Sequence, residues 1–194
     1  MGLPIILASS SPRRRLLLKE TGIKFKIFSC HLDERITPKE KVEEFSLRIA
    51  KEKALKASIK SKGIIIAADT VIKCNNSVIG KPKNKKQAAE ILSLLSGKKH
   101  AVITSLVLYN TYSKKFYTKC VKTFVTMDKL TSEEIRNYVK TGESLDKAGG
   151  YAIQGKGKFF ISKIEGCYFN VVGLPLHTLS KMLKKIGISV FKSF

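Results

Sequence analysis

Three arginines follow one another in ILASSSPRRRLLL, Ile6 to Leu18, directly after the pair Ser11-Pro12. Ser caps a helix start and Pro fits its first turn, so the pair predicts a helix beginning there. The first turn of a helix is electropositive, and a cation placed in it costs a few tenths of a kcal/mol, up to ~1. Arg13, Arg14 and Arg15 suit that turn if an anion binds, because free backbone N–H groups and guanidinium forks then converge on phosphate. Ser9, Ser10 and Ser11 add hydroxyl donors at the same strand–helix turn. The competing reading is that the arginines point into solvent.

Asp69 stands in IIIAADTVI. A carboxylate inside so apolar a run is costly unless it is paired or used. It suits a general base or a metal ligand, and equally a salt bridge to a nearby lysine or a place at the strand's exposed end. Lys81, in IGKP, follows one hairpin later and can reach phosphate from the same sheet edge, although a lone lysine is usually just solvated. Gln154 lies in GGYAIQGKG, between glycines that let a ligand approach the backbone. Its amide offers one donor and one acceptor group, which suits a base edge; an incidental Gln in a turn is the plainer alternative. The segment KGKFFISKI is a weak echo of an aromatic RNA-binding strand and lacks that motif's spacing. No P-loop and no G-x-G-x-x-G occurs.

The elements that must position these residues follow from the pattern. Leu3–Ala8 reads as a buried strand, and the helix from Ser11-Pro12 stops at Thr21-Gly22. Phe25–Phe28 reads as a second strand. Thr37-Pro38-x-Glu40 is expected to open a long helix through Val42, Phe45, Ile49, Leu55 and Ile59, ended by Gly63. Ile64–Ile72 is strand-like, and Asn75-Asn76 marks a hairpin turn. Gln87–Leu95 reads as a helix; Ala101–Asn110 and Phe116–Met127 read as strands. Thr131-x-x-Glu134 is a capping box for a helix ending near Thr141-Gly142. Phe159–Ile164 and Tyr168–Val172 are expected to pair as a hairpin, and Pro175–Ile186 to form the last helix. Early alternation of strands and helices with later hairpins predicts a mixed α/β sheet.

Composition narrows the class. The 194 residues suit one domain, or one with a small lobe. No apolar run approaches the ~18–20 residues of a membrane span, Pro4–Ala8 is too short for a signal peptide, and Ile6 breaks a myristoylation match. Cys30, Cys74, Cys120 and Cys167 are far apart, and His31, His100 and His177 show no ligand spacing. Zinc is therefore not expected, and four free thiols in a reducing compartment are. The net charge is +22, from 37 basic and 15 acidic residues. Such an excess attracts phosphates, but most of it is lysine spread over the whole chain.

Taken in order, the segments resemble the Maf family of nucleoside triphosphate pyrophosphatases: LASSSPRR at 7–14, Asp33-Glu34, AKEKA at 50–54, AADT at 67–70, GKP at 80–82, LSGKKHAVIT at 95–104, DKAGGYAIQG at 146–155 and NVVGLP at 170–175. The resemblance implies one domain over 1–194. It implies an elongated mixed α/β sheet with flanking helices, two lobes around a cleft, related to the inosine triphosphate pyrophosphatase type. It implies hydrolysis of a nucleoside triphosphate to monophosphate and pyrophosphate with Mg²⁺ or Mn²⁺, in a cytoplasmic homodimer without membrane or specific nucleic-acid partner. Carried over by position, Asp69 is the catalytic carboxylate. Ser9, Arg13, Arg14, Lys53 and Lys81 are phosphate-contacting positions, and Glu34 is an acidic residue linked to metal. Arg13, Thr70 and Gln154 match the subgroup that prefers dTTP and UTP, and modified pyrimidine nucleotides are a further expectation. Gly150 and Ala152 depart from the family's usual AGAYGIQG. The family's link to inhibition of septum formation, with the basic charge, leaves a non-enzymatic regulator of cell division that binds nucleic acid or a partner as the alternative.

Overall fold

In the computed structural model of the chain, which describes residues 3–30, 32–37, 39–75 and 77–190, the run Ile5–Ala8 forms strand β1 and Ser11-Pro12 starts helix α1 at Pro12–Glu20. Next come β2 (Lys26–Phe28), α2 (Val42–Lys60), β3 (Ile64–Cys74), β4 (Ser77–Ile79) and α3 (Lys85–Leu95). Strands β5 (Lys99–Asn110) and β6 (Lys115–Met127), helix α4 (Ser132–Lys140) and β7 (Ile161–Glu165) follow, then helices α5 (Tyr168–Val172) and α6 (Leu176–Lys185). The strands form one mixed sheet of order β2-β1-β3-β5-β6-β7, with β4 paired to β3. β1 runs parallel to both β2 and β3; β3–β4 and β6–β7 are antiparallel.

The chain folds as two compact units that interleave in sequence. One comprises Met1–Asp69, Thr104–Val121 and Gly173–Phe194, and the other Thr70–Ile103 and Lys122–Val172. In the first, Ala50, Ala54 and Ala57 of α2 pack on Ile6, Ile65 and Ala67 of the sheet. Residues at i, i+4 and i+7 share one helix face, so α2 meets the sheet with a row of methyl groups and lies close to it. Gly63 turns the chain from α2 into β3 with φ +141°, and a Cβ there would collide with the Pro4 carbonyl oxygen, so no other residue fits. In the second unit, Leu92 and Leu95 of α3 and Ile135 and Val139 of α4 pack with Val102, Val125 and Ile72.

Two expected elements differ. The long helix starts at Val42, with Lys41 as its N-cap, and not at Thr37. The Thr37–Glu40 pattern does make its hydrogen bonds, with Glu40 Oε2 accepting from the Thr37 N–H and hydroxyl at 3.0 Å each. Lys39 then adopts φ 66°, and a left-handed residue cannot propagate a right-handed helix. Pro38 lies outside the described residues, as do His31 and Asn76 of the expected hairpin turn. Tyr168–Val172 is a short helix and not a strand, so β7 pairs with β6 instead. Asn170 explains the change: its buried amide donates to the Val102 carbonyl and Thr123 Oγ1 at 3.0 Å each, which anchors a helical turn. A run of five residues is too short to carry a period that separates the two states.

Candidate active site

Strand alternation puts Asp69 on the same face of β3 as Ile65 and Ala67, the face that packs on α2. On α2, Lys53 lies three residues from Ala50 and one before Ala54, within the buried alanine row. The two side chains meet there: Lys53 Nζ donates to Asp69 Oδ1 at 2.7 Å, with 6% and 5% of the side chains exposed. The same ammonium lies 2.7 Å from Glu34 Oε1, whose side chain is 31% exposed. One cation thus bridges two carboxylates, one deep and one at the surface.

Helix α1 brings the second cation. Arg14, Leu17 and Leu18 are its buried residues, so the guanidinium continues an apolar face inward. Arg14 Nε donates to the Gly173 carbonyl at 2.7 Å and Nη1 to Ser9 Oγ at 3.4 Å. Burial pushes the Arg14 pKa below its ordinary value; the charges of Asp69 and Glu34 oppose that shift and Arg13 adds to it. Ser9 is itself buried, and its Oγ also accepts from the Ser11 N–H at 3.2 Å. Ser11 caps the helix by accepting from the Arg14 N–H. Arg13 is half-buried and Arg15 exposed. The three arginines therefore have three environments, and only Arg14 is turned fully into the protein.

Ser9, Arg14, Lys53, Asp69 and Glu34 thus come together in the first unit. Thr70 follows Asp69 in β3 and is half-buried; Lys81 is exposed just past β4; Gln154 is exposed in a turn closed by the Gly155 N–H on the Ala152 carbonyl at 3.1 Å. These three belong to the second unit. Among the described residues no group of three or more His, Cys, Asp or Glu is placed to hold a metal. Glu34 Oε1 and Asp69 Oδ1 nevertheless converge on one ammonium, and one or two carboxylates are the protein ligands that a magnesium ion would use there. Cys30 and Cys74 are buried, Cys167 is half-buried and Cys120 is exposed.

Arg48 carries no signal in the sequence beyond its spacing from Glu40 and Glu52. In the structure its guanidinium bonds Glu40 at 2.8 and 2.9 Å, Glu52 at 3.1 Å and the Arg35 carbonyl at 2.9 Å. It ties the segment next to Glu34 to α2. Among the described residues no helix is long and apolar enough to cross a membrane.

Residues 4–186 match the family model of Maf-like protein. The chain is similar to proteins named dTTP/UTP pyrophosphatase: 45% identical to one from Methanosarcina barkeri over 97% of this chain and 96% of that one. It is 46% identical to one from Pelotomaculum thermopropionicum over 96% and 98%, and 42% identical to one from Caldicellulosiruptor saccharolyticus over 97% of each.

Proposed function

The chain belongs to the family of Maf-like proteins, and from that premise we propose that it is a nucleoside triphosphate pyrophosphatase acting on dTTP and UTP. Near full-length identity of 42–46% to relatives of that name carries the proposal. Water adds across the α–β anhydride, the bond to the pyrophosphate leaving group breaks, and monophosphate and pyrophosphate result. Such a reaction needs a placed water and neutralised charge more than covalent chemistry.

The local residues suit those tasks. Asp69 orients the water and takes its proton. Ser9, Arg13, Arg14 and Lys53, with Lys81, hold the phosphates. Arg13, Arg14, Lys53 and Lys81 against Asp69 and Glu34 sum to two net positive charges, too little for a triphosphate of about −4. A divalent cation held at Glu34 would supply the remaining neutralisation. Thr70 and Gln154 serve base selection, with Arg13. The reading also carries a homodimer, which light scattering checks, and a cytoplasmic location, which cell fractionation checks.

The test is pyrophosphate release with Mg²⁺ or Mn²⁺ from dTTP, UTP, CTP, GTP and 7-methyl-GTP. Release from dTTP and UTP that Asp69→Asn abolishes supports the proposal. No release from any of the five overturns it and favours the regulatory alternative.

A further inference from the structure

Two side chains outside the phosphate site grip the backbone on either side of Gln154. Tyr138, on the buried face of α4 with Ile135 and Val139, is held edge-on by Phe160, with ring centroids 4.9 Å apart. Its hydroxyl makes two hydrogen bonds. It accepts from the Ala152 N–H at 2.9 Å and donates to Glu143 Oε2 at 3.4 Å. Burial raises the Tyr138 pKa, and the neighbouring Glu143 charge adds to this, so the hydroxyl keeps its proton. The same Glu143 Oε2 accepts from the Lys156 N–H at 2.9 Å. The backbone is therefore pinned two residues before Gln154 and two residues after it, and the Gln154 side chain stays exposed between the two pins.

The glycines of the segment fit this arrangement closely. A Cβ on Gly155 would collide with Glu143 Oε2, and one on Gly157 would come 2.7 Å from the Ala152 carbonyl oxygen. Gly155 is small so that the carboxylate can lie against the turn, and Gly157 so that the turn can fold back on Ala152. A turn between glycines is otherwise flexible. An amide on a flexible turn discriminates base edges poorly, because ordering it on each binding event costs free energy.

We propose that Tyr138 and Glu143 are positioning residues for base selection: they hold residues 152–156 in the one conformation that presents the Gln154 amide to the substrate's base. This rests on the function proposed above. It assigns to the second unit a polar brace whose effect falls on which base is accepted, while the hydrolytic groups stay as they are.

The experiment compares kcat/KM for dTTP and CTP in the unmodified protein and in Tyr138→Phe, Glu143→Ala, Glu143→Gln and Gln154→Ala. Tyr138→Phe keeps the ring packing and loses the hydroxyl. It is expected to lower the dTTP/CTP ratio roughly tenfold, chiefly through KM for dTTP, as the loss of the hydrogen bond that pins Ala152 implies. Glu143→Ala should do the same, and Glu143→Gln, which retains an acceptor for the Lys156 N–H, should recover most of the ratio. Gln154→Ala should lower it at least as far. A purely structural role predicts lower melting temperatures and equal losses for both nucleotides, and that result overturns the brace. So does an unchanged ratio in Gln154→Ala. An unmodified protein that cleaves neither nucleotide instead overturns the function proposed above, and the brace with it; the two failures are told apart because the second needs no variant.

Discussion

Lys53 Nζ lies 2.7 Å from Asp69 Oδ1 across the buried interface of α2 and β3, with both side chains almost wholly removed from water. The ammonium also meets Glu34 at 2.7 Å, so one cation serves both carboxylates. Removing one partner of a buried pair leaves the other charge stranded, at about 3–5 kcal/mol. Lys53→Met should therefore cost about 3 kcal/mol of unfolding free energy, read from urea titration, and abolish turnover. Asp69→Asn keeps an oxygen that accepts from Lys53 and leaves Glu34 as counter-charge. It should cost about 1 kcal/mol while losing activity by more than a hundredfold. Similar stability losses in the two variants would contradict this account of the pair.

Arg14 should not tolerate lysine. Its Nε and Nη1 serve two acceptors at once, the Gly173 carbonyl and Ser9 Oγ. An ammonium cannot reproduce that planar fork. In Arg14→Lys the buried Gly173 carbonyl loses its charge-assisted donor, worth about 1–3 kcal/mol. Under the proposed function KM for dTTP should rise roughly tenfold. Thermal unfolding and steady-state kinetics measure the two effects; a variant with wild-type values in both would show that positive charge alone is needed there.

The sequence makes some of this legible, and the reasons differ by element. The start of α1 is legible because Ser11 and Pro12 act through their own backbone, and so is the Thr131/Glu134 capping box of α4. The Thr37/Glu40 pair makes the return bond from the Thr37 N–H to Glu40 Oε2 yet opens no helix, since Lys39 turns left-handed two residues later. Asp69 stands out as a carboxylate in an apolar run, and a salt bridge to a lysine is one of its readings. Which lysine is not legible, because the chain has 37 basic residues and the choice depends on α2 lying against β3. Tyr138 and Glu143 escape notice altogether. They bond backbone N–H groups of residues 152 and 156, and such contacts leave no spacing pattern in the sequence.

The buried pair His100–Tyr151 should make the protein acid-sensitive. His100 Nε2 and the Tyr151 hydroxyl are 2.8 Å apart, and the rings meet edge to face. Burial pushes His100 down from 6.5 to about 4, against a smaller upward effect of the Lys98 backbone. Between those values the unfolded chain takes up a proton that the folded imidazole refuses. Stability is therefore complete above pH 6.5, falls as the pH drops toward 4 and levels below. The loss from this residue is on the order of 3 kcal/mol. Urea midpoints from pH 7.5 to 4 would show it, and His100→Gln should flatten that slope. An equally steep slope in the variant would assign the acid loss to other groups.

Arg48 and Glu40 give a second acid-dependent contact, with a different window. The Arg48 guanidinium, the largest cause, and the Thr37 backbone hold the Glu40 carboxyl down to about 2, from an ordinary 4.5. A carboxylate depressed in this way contributes fully above pH 4.5, and the contribution disappears as the pH falls through about 2. Arg48 also bonds the Arg35 carbonyl, so the contact holds the segment that carries Glu34. Amide exchange over residues 35–37 and 39–41, corrected for its intrinsic pH dependence, should be protected from pH 7 down to 4.5 and lose protection near 2. Arg48→Ala should remove the protection at every pH. If Glu34 holds the divalent cation, that variant should also need roughly tenfold more Mg²⁺ for half-maximal turnover, since supports of a metal ligand commonly have effects of that size. Lost protection with an unchanged Mg²⁺ requirement would separate Glu34 from the metal.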